Sequence, residues 1–389
     1  MKLLLVSLIC LCLVAVSIPG WAAGLPGDLS KIDAQVDTYF KKSSTVGGSL
    51  VIAKDGRIVY QRDYGFQNKN QKVPVTQDTY FRIASITKMV SAIGIMQLTE
   101  QGKLDLDQDI SKYFGYEIAN PNHPKIPITL RQCMSHTTSL SQGGGYSFES
   151  RTIHDMLAKE VRHFSNFTEE KPGDHYSYSN FGAGLMGSIM EAVTGESINQ
   201  YMTEHVFKPL SIDAAYSASF LSRPEYIASQ YQNGKMYMSA SKYLEEPYDD
   251  FADPERHYRI TVGDIFIRSK DLAKIACILC GDGSFDGVRL LDKESVGLMR
   301  TDQRELGASV TGESPYGLCV NLMDNMLDDS MIYGHQGMSN GAMCNVFYDP
   351  ETQFVLIMLT NGCSQVRQDR IGVLPRRLFA YTYPLFTQK

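Results

Sequence analysis

A serine and a lysine three residues apart are the first candidates for chemistry in this 389-residue sequence, in the segment Ser85-Ile-Thr-Lys88. A polar stretch, residues 79–84, meets a long segment of helical periodicity here, so Ser85 is expected in the first turn of a helix. Residues three apart share one face of a helix, and the N–H groups at its start favour an attacking oxygen that acquires negative charge. Lys88 could then act as a base if burial lowers its pKa. An N-cap serine followed by a solvated lysine would give the same pattern, so the pair alone does not establish a nucleophile.

Two later segments add side chains that can carry or share a proton. Tyr178-Ser-Asn180 is expected in a turn just before a helix, and His335-Gln-Gly337 is expected immediately before a strand that begins near Met338. Each has a structural alternative. Tyr178 lies among other aromatic residues and could be a packing residue, and His335 could be a hydrogen-bonded loop histidine.

The order and separation of these segments closely resemble one superfamily of serine hydrolases, that of the class C β-lactamases and D-Ala-D-Ala carboxypeptidases. The resemblance also rests on Gly47–Tyr60, Phe81–Lys88 and Ser135–Leu140, and it extends from about Ile32 to about Asn361. It implies a penicillin-recognising type of enzyme that works through an acyl-enzyme, without a cofactor.

The roles of individual residues are what this resemblance implies. Ser85 would be the nucleophile, and Lys88 and Tyr178 would move the protons. The backbone N–H groups of Ser85 and Met338 would form the oxyanion hole. Asn180 would offer an amide to the substrate or to Lys88, and Gly337 would let the adjoining strand approach the substrate closely.

Two features concern the substrate. The family's third motif often has a lysine that helps to receive a substrate carboxylate, whereas this chain has His335, which we expect to be only partly charged at neutral pH. That change disfavours a carboxylate-bearing antibiotic as the main substrate. Separately, residues 141–146 read as a flexible loop that could line the cleft, with Gln142 as a candidate for contacting the substrate.

The surrounding elements predict how these residues are positioned. Two strand pairs lie near the two ends of the chain: Gly47–Lys54 with Arg57–Arg62 across Asp55-Gly56, and Gly341–Tyr348 with Gln353–Thr360. A helix over Asp28–Lys42 precedes the first pair, and a closing helix is expected from Val366 onward. Further helices are expected between the two pairs, over Ile86–Gln101, Thr152–Arg162, Gly182–Val193 and Lys270–Leu279.

These elements predict an α/β (α+β) fold, with an antiparallel sheet flanked by the N- and C-terminal helices and a mainly helical domain inserted into it. Antiparallel hairpins at both ends argue against a doubly wound dinucleotide-binding fold. We expect residues 24–84 and 300–389 to form the sheet domain, residues 85–299 to form the helical domain, and the active site to lie in the cleft between them.

Composition and the N-terminus limit the partners. Residues 1–23 have the layout of a secretory signal peptide. This layout predicts an exported protein, either periplasmic or extracellular. A contact with the membrane is expected only if the segment is retained as an anchor. The chain has a net charge of −6 and no basic block, so nucleic acid is an unexpected partner. Its eight histidines show no metal-ligand spacing, so neither a metal nor another cofactor is expected.

Four functions remain open from the sequence. The leading hypothesis is a hydrolase that acts on small amides, peptides or esters. A β-lactamase in the strict sense is the alternative within the fold. A penicillin-binding or sensor protein, acylated once and then inert, is the alternative outside catalysis. Acyl transfer to an amine or alcohol instead of water is also open, because the sequence does not show how water reaches the acyl-enzyme.

Overall fold

The computed structural model describes residues 28–143, 151–160, 164–246, 248–303, 315–328 and 330–387. The predicted signal peptide, residues 1–23, lies outside these ranges. No helix within them has the length and apolar character that a membrane crossing requires.

Strands are distributed along the whole described chain. In chain order they are β1 (Gly47–Lys54), β2 (Arg57–Asn68), β3 (Val73–Pro74), β4 (Tyr80–Arg82), β5 (Ala214–Ala215), β6 (Gln230–Gln232), β7 (Lys235–Met238), β8 (Phe266–Arg268), β9 (Ser284–Phe285), β10 (Val288–Arg289), β11 (Asn321–Met323), β12 (Ile332–Ser339), β13 (Ala342–Asp349), β14 (Phe354–Thr360), β15 (Arg367–Gln368) and β16 (Ile371–Gly372).

The α-helices lie mainly between the two groups of long strands. In chain order they are α1 (Leu29–Lys42), α2 (Ile86–Glu100), α3 (Ser111–Phe114), α4 (Leu130–Ser135), α5 (Ile153–Leu157), α6 (Asn180–Thr194), α7 (Ile198–Met202), α8 (Ala240–Glu245), α9 (Ile260–Gly263), α10 (Ser269–Cys280), α11 (Lys293–Arg300) and α12 (Val373–Thr387).

The main sheet joins the two ends of the chain. Its seven strands are antiparallel neighbours in the order β11-β12-β13-β14-β1-β2-β3. The two predicted hairpins meet where β1 pairs with β14, from Gly48 opposite Thr360 to Lys54 opposite Phe354. The first hairpin turns at Asp55 and Gly56, with φ of 51° and 72°, which is the conformation that a two-residue turn between twisted strands requires. The predicted fold class is therefore confirmed.

One face of the sheet is covered by the two terminal helices. Phe40 of α1 and Phe379 of α12 are buried in one apolar cluster with Phe347 and Phe354 of the sheet. The helix α12 begins at Val373, so the prediction of a helix from Val366 was wrong at its start. Residues 367–372 form a β15–β16 hairpin instead, in which Asp369 and Arg370 have φ of 48° and 69°, values that no α-helix contains.

The other face of the sheet is covered by helices from the middle of the chain. The buried faces of α2, α6 and α10 share one large core with residues of β1, β13 and β14. The helix α10 falls inside the predicted helical domain but packs on the sheet, where Ser269 Oγ lies 2.8 Å from Ser49 Oγ. The two-domain division stays a proposal, and this contact supports grouping α10 with the sheet.

One predicted helix is shorter than expected. The helix expected over Thr152–Arg162 ends at Leu157, because Ala158 is extended and forms a β-bridge with Ile118. The last two residues of that prediction, 161 and 162, lie outside the described ranges. A pairing with a distant segment therefore replaces the last part of a locally helical pattern.

Candidate active site

Ser85 lies at the start of α2, as the sequence predicts. The preceding strand β4 pairs with β8, and Ala84 has a φ of 48°, so the chain turns sharply just before the helix. Ser85 is the N-cap of α2, and its side chain makes no capping hydrogen bond. Lys88 Nζ lies 3.1 Å from Ser85 Oγ and donates a hydrogen bond to Val262 O at 2.8 Å.

Burial changes the acid–base properties of Lys88. The side chain is fully buried, and this burial lowers the pKa of its ammonium group to about 7, against smaller opposing effects of Cys319 and Asp264. An ammonium group out of contact with water is disfavoured relative to the neutral amine. Lys88 therefore has a substantial neutral fraction at neutral pH and can accept a proton from Ser85.

Tyr178 lies beside this pair. Lys88 Nζ is 5.3 Å from the centroid of the Tyr178 ring, and the side chain of Tyr178 is 36% exposed. The described structure thus places a partly exposed phenol close to the amine that contacts the nucleophile. Such a pair can pass a proton between Ser85 and a leaving group.

His136 binds the turn that carries Tyr178. The sequence analysis did not identify this residue as part of the site. Its backbone carbonyl accepts a hydrogen bond from Ser177 N at 2.9 Å, and its Nδ1 lies 3.2 Å from Ser179 N and 3.1 Å from Ser179 O. The imidazole also packs on the Tyr178 ring, with 4.2 Å between ring centroids. The only signal in the sequence was its place within residues 135–140, which carried part of the family resemblance.

Asn180 and Gln142 are brought together. Asn180 Nδ2 donates a hydrogen bond to Gln142 Oε1 at 3.0 Å. Asn180 Oδ1 is buried and has no hydrogen-bond partner among the described residues. The neighbouring Ser179 caps α6 by accepting from Gly182 N at 3.1 Å, which fixes Asn180 in the first turn of that helix. Residues 144–150, the rest of the predicted loop and the segment after it, lie outside the described ranges.

The His-Gln-Gly segment lies inside strand β12, so the expectation that it precedes a strand was wrong. His335 Nδ1 donates to Gln336 O at 2.7 Å, and its Nε2 lies 3.0 Å from the hydroxyl of Tyr316, which therefore donates to it. Burial lowers the pKa of His335 to about 3, and the positive charge of Lys88 adds to this. His335 is neutral at neutral pH, so the expected partial charge was also wrong.

Gly337 faces a neighbouring backbone. A Cβ atom at this position would lie 2.1 Å from Ile83 O and 3.3 Å from the Cβ atom of Ala84. The missing side chain therefore allows β12 to approach the turn that precedes Ser85. The expected close approach of the strand to the substrate stays a prediction.

Met338 lies next along the same strand. It pairs with Met343 of β13, while β11 pairs with β12 only over residues 332–334. The edge of β12 at residues 335–339 thus has no strand partner among the described residues. A backbone N–H on such an edge is available to a ligand.

One cavity of about 440 Å³ contains most of the candidate residues. Ser85, Tyr178, Asn180, His335 and Met338 line it. The described structure thus brings together side chains that are as far as 253 positions apart in the chain. Its remaining described lining residues are Tyr176, Pro315, Asn321, Leu322, Met323, Asn325, Gln336, Arg367, Asp369, Arg370 and Ile371.

Comparison with known proteins identifies the family. A family model described as beta-lactamase matches residues 32–373. The chain belongs to this family. The match covers the sheet, the helices between its two halves and every candidate residue described above. Within the described ranges, no three His, Cys, Asp or Glu side chains are grouped as metal ligands would be.

Individual relatives are distant. The chain is 28% identical over 190 residues to protein flp of Staphylococcus aureus strain MW2, a match that covers 47% of this chain and 37% of that protein. The chain thus spans about a third of the length of the first curated relatives that it matches. It is 25% identical over 347 residues to penicillin-binding protein 4 of Amycolatopsis lactamdurans, covering 87% of this chain and 86% of that protein.

A solved structure has the same fold. The D-amino acid amidase from Ochrobactrum anthropi SV3, complexed with L-phenylalanine amide, superposes with a TM-score of 0.66 at 24% sequence identity. The superposition covers 90% of this chain and 97% of the amidase chain.

Proposed function

We propose that this protein is a serine hydrolase that forms an acyl-enzyme on Ser85 with an amide, peptide or ester substrate. The observation that carries the proposal is the Lys88 amine, which is fully buried, 3.1 Å from Ser85 Oγ, and has its pKa lowered by burial to about 7. A neutral amine at this distance activates a hydroxyl by taking its proton.

The proposed reaction has two steps. In the first, Ser85 Oγ bonds to the substrate carbonyl carbon, its proton passes to Lys88, and the C–N or C–O bond breaks as the leaving group receives a proton by way of Tyr178. In the second, water attacks the acyl-enzyme carbonyl, releases the acid and returns the proton to Ser85. Lys88 and Tyr178 carry the proton in both steps: away from Ser85 in the first step and back to Ser85 in the second.

The remaining candidates would bind the reacting group. The backbone N–H groups of Ser85, at the start of α2, and of Met338, on the open edge of β12, would stabilise the oxyanion, each by about 3 kcal/mol. The free Oδ1 of Asn180 would accept a hydrogen bond from a substrate amide, with Gln142 fixing the orientation of the side chain. His335 would act as a neutral hydrogen-bonding group that orients Tyr316.

Similar proteins support this substrate class. One is named an amidase and was solved with an amino-acid amide, and another is named a penicillin-binding protein. The second name also favours the alternative of a protein that a β-lactam acylates once. We further propose that the protein is exported, because residues 1–23 have the layout of a signal peptide.

The test combines labelling with turnover. A fluorophosphonate should label Ser85, and Ser85→Ala should abolish both labelling and the hydrolysis of chromogenic esters and D-amino-acid amides, while Ser241→Ala, at an exposed serine, should change neither. Labelling at another serine, found by peptide mapping, would remove Ser85 as the nucleophile. With a penicillin, repeated turnover would indicate a β-lactamase, and a persistent adduct of one equivalent, seen in the protein mass, would indicate a sensor.

A further inference from the structure

The segment that binds the Lys88 amine is anchored from outside the catalytic cavity. Val262 O, which accepts the hydrogen bond from Lys88 Nζ at 2.8 Å, lies in α9, two residues before Asp264. Asp264 forms an ion pair with Arg82 of β4, through its Oδ1 and the arginine Nη2. Because Arg82 is three residues before Ser85, this pair joins the strand that leads to the nucleophile to the segment that binds the base.

Arg82 also reaches the strand that carries the second proposed oxyanion donor. Its Nη1 lies 3.4 Å from Ser339 Oγ, and Ser339 follows Met338 on β12. A guanidinium has several N–H donors in one rigid plane, so a single side chain can hold two neighbours in a defined relation. Arg82 thus contacts both the segment after α9 and the end of β12.

Asp264 carries a charge that reaches Lys88. It raises the pKa of the Lys88 ammonium, against the larger effect of burial. Among the described residues, however, Lys88 Nζ has no carboxylate partner: its hydrogen bonds go to Ser85 Oγ and Val262 O, and Asp264 pairs with Arg82. An ammonium paired directly with a carboxylate would be held in its charged form, and Lys88 would then be a poor base at neutral pH.

The surroundings of these three side chains contain further titratable groups. They are Cys319, His136, His335, Tyr178, Tyr216, Tyr243 and Glu246. Burial raises the pKa of Cys319 to about 12 and lowers the pKa values of both histidines, so the thiol and the two imidazoles are neutral at neutral pH. Burial also raises the pKa values of Tyr216 and Tyr243. Glu246 raises the pKa of Arg82, whereas Asp264 is the carboxylate that acts on Lys88.

We propose that Arg82 is a positioning residue of the catalytic base: by pairing with Asp264, it prevents that carboxylate from pairing with Lys88 and so keeps the amine able to accept a proton. This inference rests on the proposed function, because it concerns the base of the same reaction. Arg82 acts through Asp264 and Lys88, and not on the substrate. The same ion pair holds the segment in which Val262 O binds the amine.

The test is the pH dependence of kcat/KM for a neutral ester. In Arg82→Gln the Asp264 carboxylate is released to pair with Lys88, so the midpoint of the rise should move up by about one pH unit or more. This change should lower kcat/KM roughly fivefold or more at pH 7 and have little effect at pH 9. Asp264→Asn breaks the same ion pair but removes the negative charge, so its midpoint should move down. Arg82→Gln/Asp264→Asn should have the midpoint of Asp264→Asn, and so recover activity at pH 7 relative to Arg82→Gln.

Arg268→Gln is the matched control. Arg268 lies on β8, the strand that pairs with β4, and its side chain, 15% exposed, forms an ion pair with Asp271 at 2.5 Å. Loss of this pair should lower stability to urea without moving the midpoint. If Arg82 had only such a structural role, the two variants that break its pair with Asp264 would behave alike.

Three outcomes would overturn the proposal: an unchanged midpoint in Arg82→Gln, shifts of the same sign in Arg82→Gln and Asp264→Asn, or a double variant as impaired at pH 7 as Arg82→Gln. If Arg82→Gln does not fold, the double variant is compared with Asp264→Asn. Removal of Arg82 should then leave the midpoint where it is, and a further shift would contradict an action through Asp264.

A second measurement separates this inference from the proposed function. In lysine-labelled protein, the carbon-13 signal of Lys88 Cε, assigned by its loss in Lys88→Met, reports the titration of the amine without any substrate. Absence of turnover and of labelling at Ser85 would contradict the proposed function. The carbon-13 titration midpoints of the Arg82 and Asp264 variants should still move in opposite directions, and equal midpoints would overturn the role of Arg82.

Discussion

Burial acts on two basic side chains at this site, with different chemical results. It lowers the pKa of Lys88 from 10.5 to about 7 and that of His335 from 6.5 to about 3. The first change brings a lysine into the range where it can exchange protons at neutral pH, and the second takes a histidine out of that range. The same physical cause thus makes one residue a candidate base and the other a neutral hydrogen-bonding group.

The pH dependence of turnover follows from Lys88. Only the neutral amine accepts the proton of Ser85, so kcat/KM for a neutral ester should rise with pH through about 7 and be lost below it. Asp264 carries a negative charge that raises the pKa of Lys88, so Asp264→Asn should move this rise to lower pH. The measurement is kcat/KM from pH 5 to 9.

The control for this prediction is Asp286→Asn, at an exposed position with a φ of 48° that asparagine tolerates. It should leave the profile of the parent protein unchanged. A profile without a rise near pH 7, or a shift to higher pH in Asp264→Asn, would contradict the assignment of Lys88 as the base.

Among elements, the contact between β12 and the start of α2 determines the geometry of the site. Gly337 allows this contact, because any Cβ atom would overlap Ile83 O. Gly337→Ala should therefore separate β12 from the turn before Ser85, destabilise the fold by about 1–3 kcal/mol, and lower kcat/KM by roughly a hundredfold through misplaced groups. Urea unfolding and ester hydrolysis measure the two effects.

A matched variant separates this contact from the general effect of replacing glycine by alanine. Gly297 lies within α11, and a Cβ atom there would meet nothing within 4 Å. Gly297→Ala should stabilise the protein by about 0.5–1 kcal/mol and leave kcat/KM unchanged. If Gly337→Ala is as stable and as active as the parent, the strand does not position the nucleophile.

For the whole molecule, stability and chemistry depend on opposite faces of one sheet. The terminal helices α1 and α12 cover one face, and α2, which carries Ser85 and Lys88, lies on the other. Because β1 from the N-terminal half pairs with β14 from the C-terminal half, neither half forms the sheet alone. The cavity is thus assembled only when both ends of the chain have met.

A substitution on the outer face should therefore change stability without changing chemistry. Phe379 of α12 is 1% exposed and packs edge-on against Phe347 and Phe354. Phe379→Ala should lower the free energy of unfolding by about 3–5 kcal/mol, and Leu385→Ala, at a side chain 38% exposed on the same helix, by less than about 1 kcal/mol.

Urea unfolding measures both changes, and hydrolysis of a neutral ester below the unfolding transition measures activity. The folded Phe379→Ala protein should keep the kcat/KM of the parent. A change in kcat/KM comparable to the change in stability would mean that the outer layer also shapes the cavity.

The sequence by itself determined what depends on near neighbours in the chain. Ser85 and Lys88 share a helix face because they are three residues apart, and Asp55-Gly56 sets the first hairpin because both residues accept a positive φ. The order of the motifs was enough to identify the family and the fold class.

The tertiary structure alone decided what depends on distant segments. His335 is neutral because surrounding elements exclude water from it, Gly337 is required by the backbone of Ile83, and His136 meets Tyr178 across 42 positions of the chain. Residues 367–372 form a hairpin because Gln336 and Asn325 bind its backbone, although the local pattern indicates a helix. Burial, backbone clearance and long-range hydrogen bonds are properties of the packed chain, and no periodicity or spacing in the sequence encodes them locally.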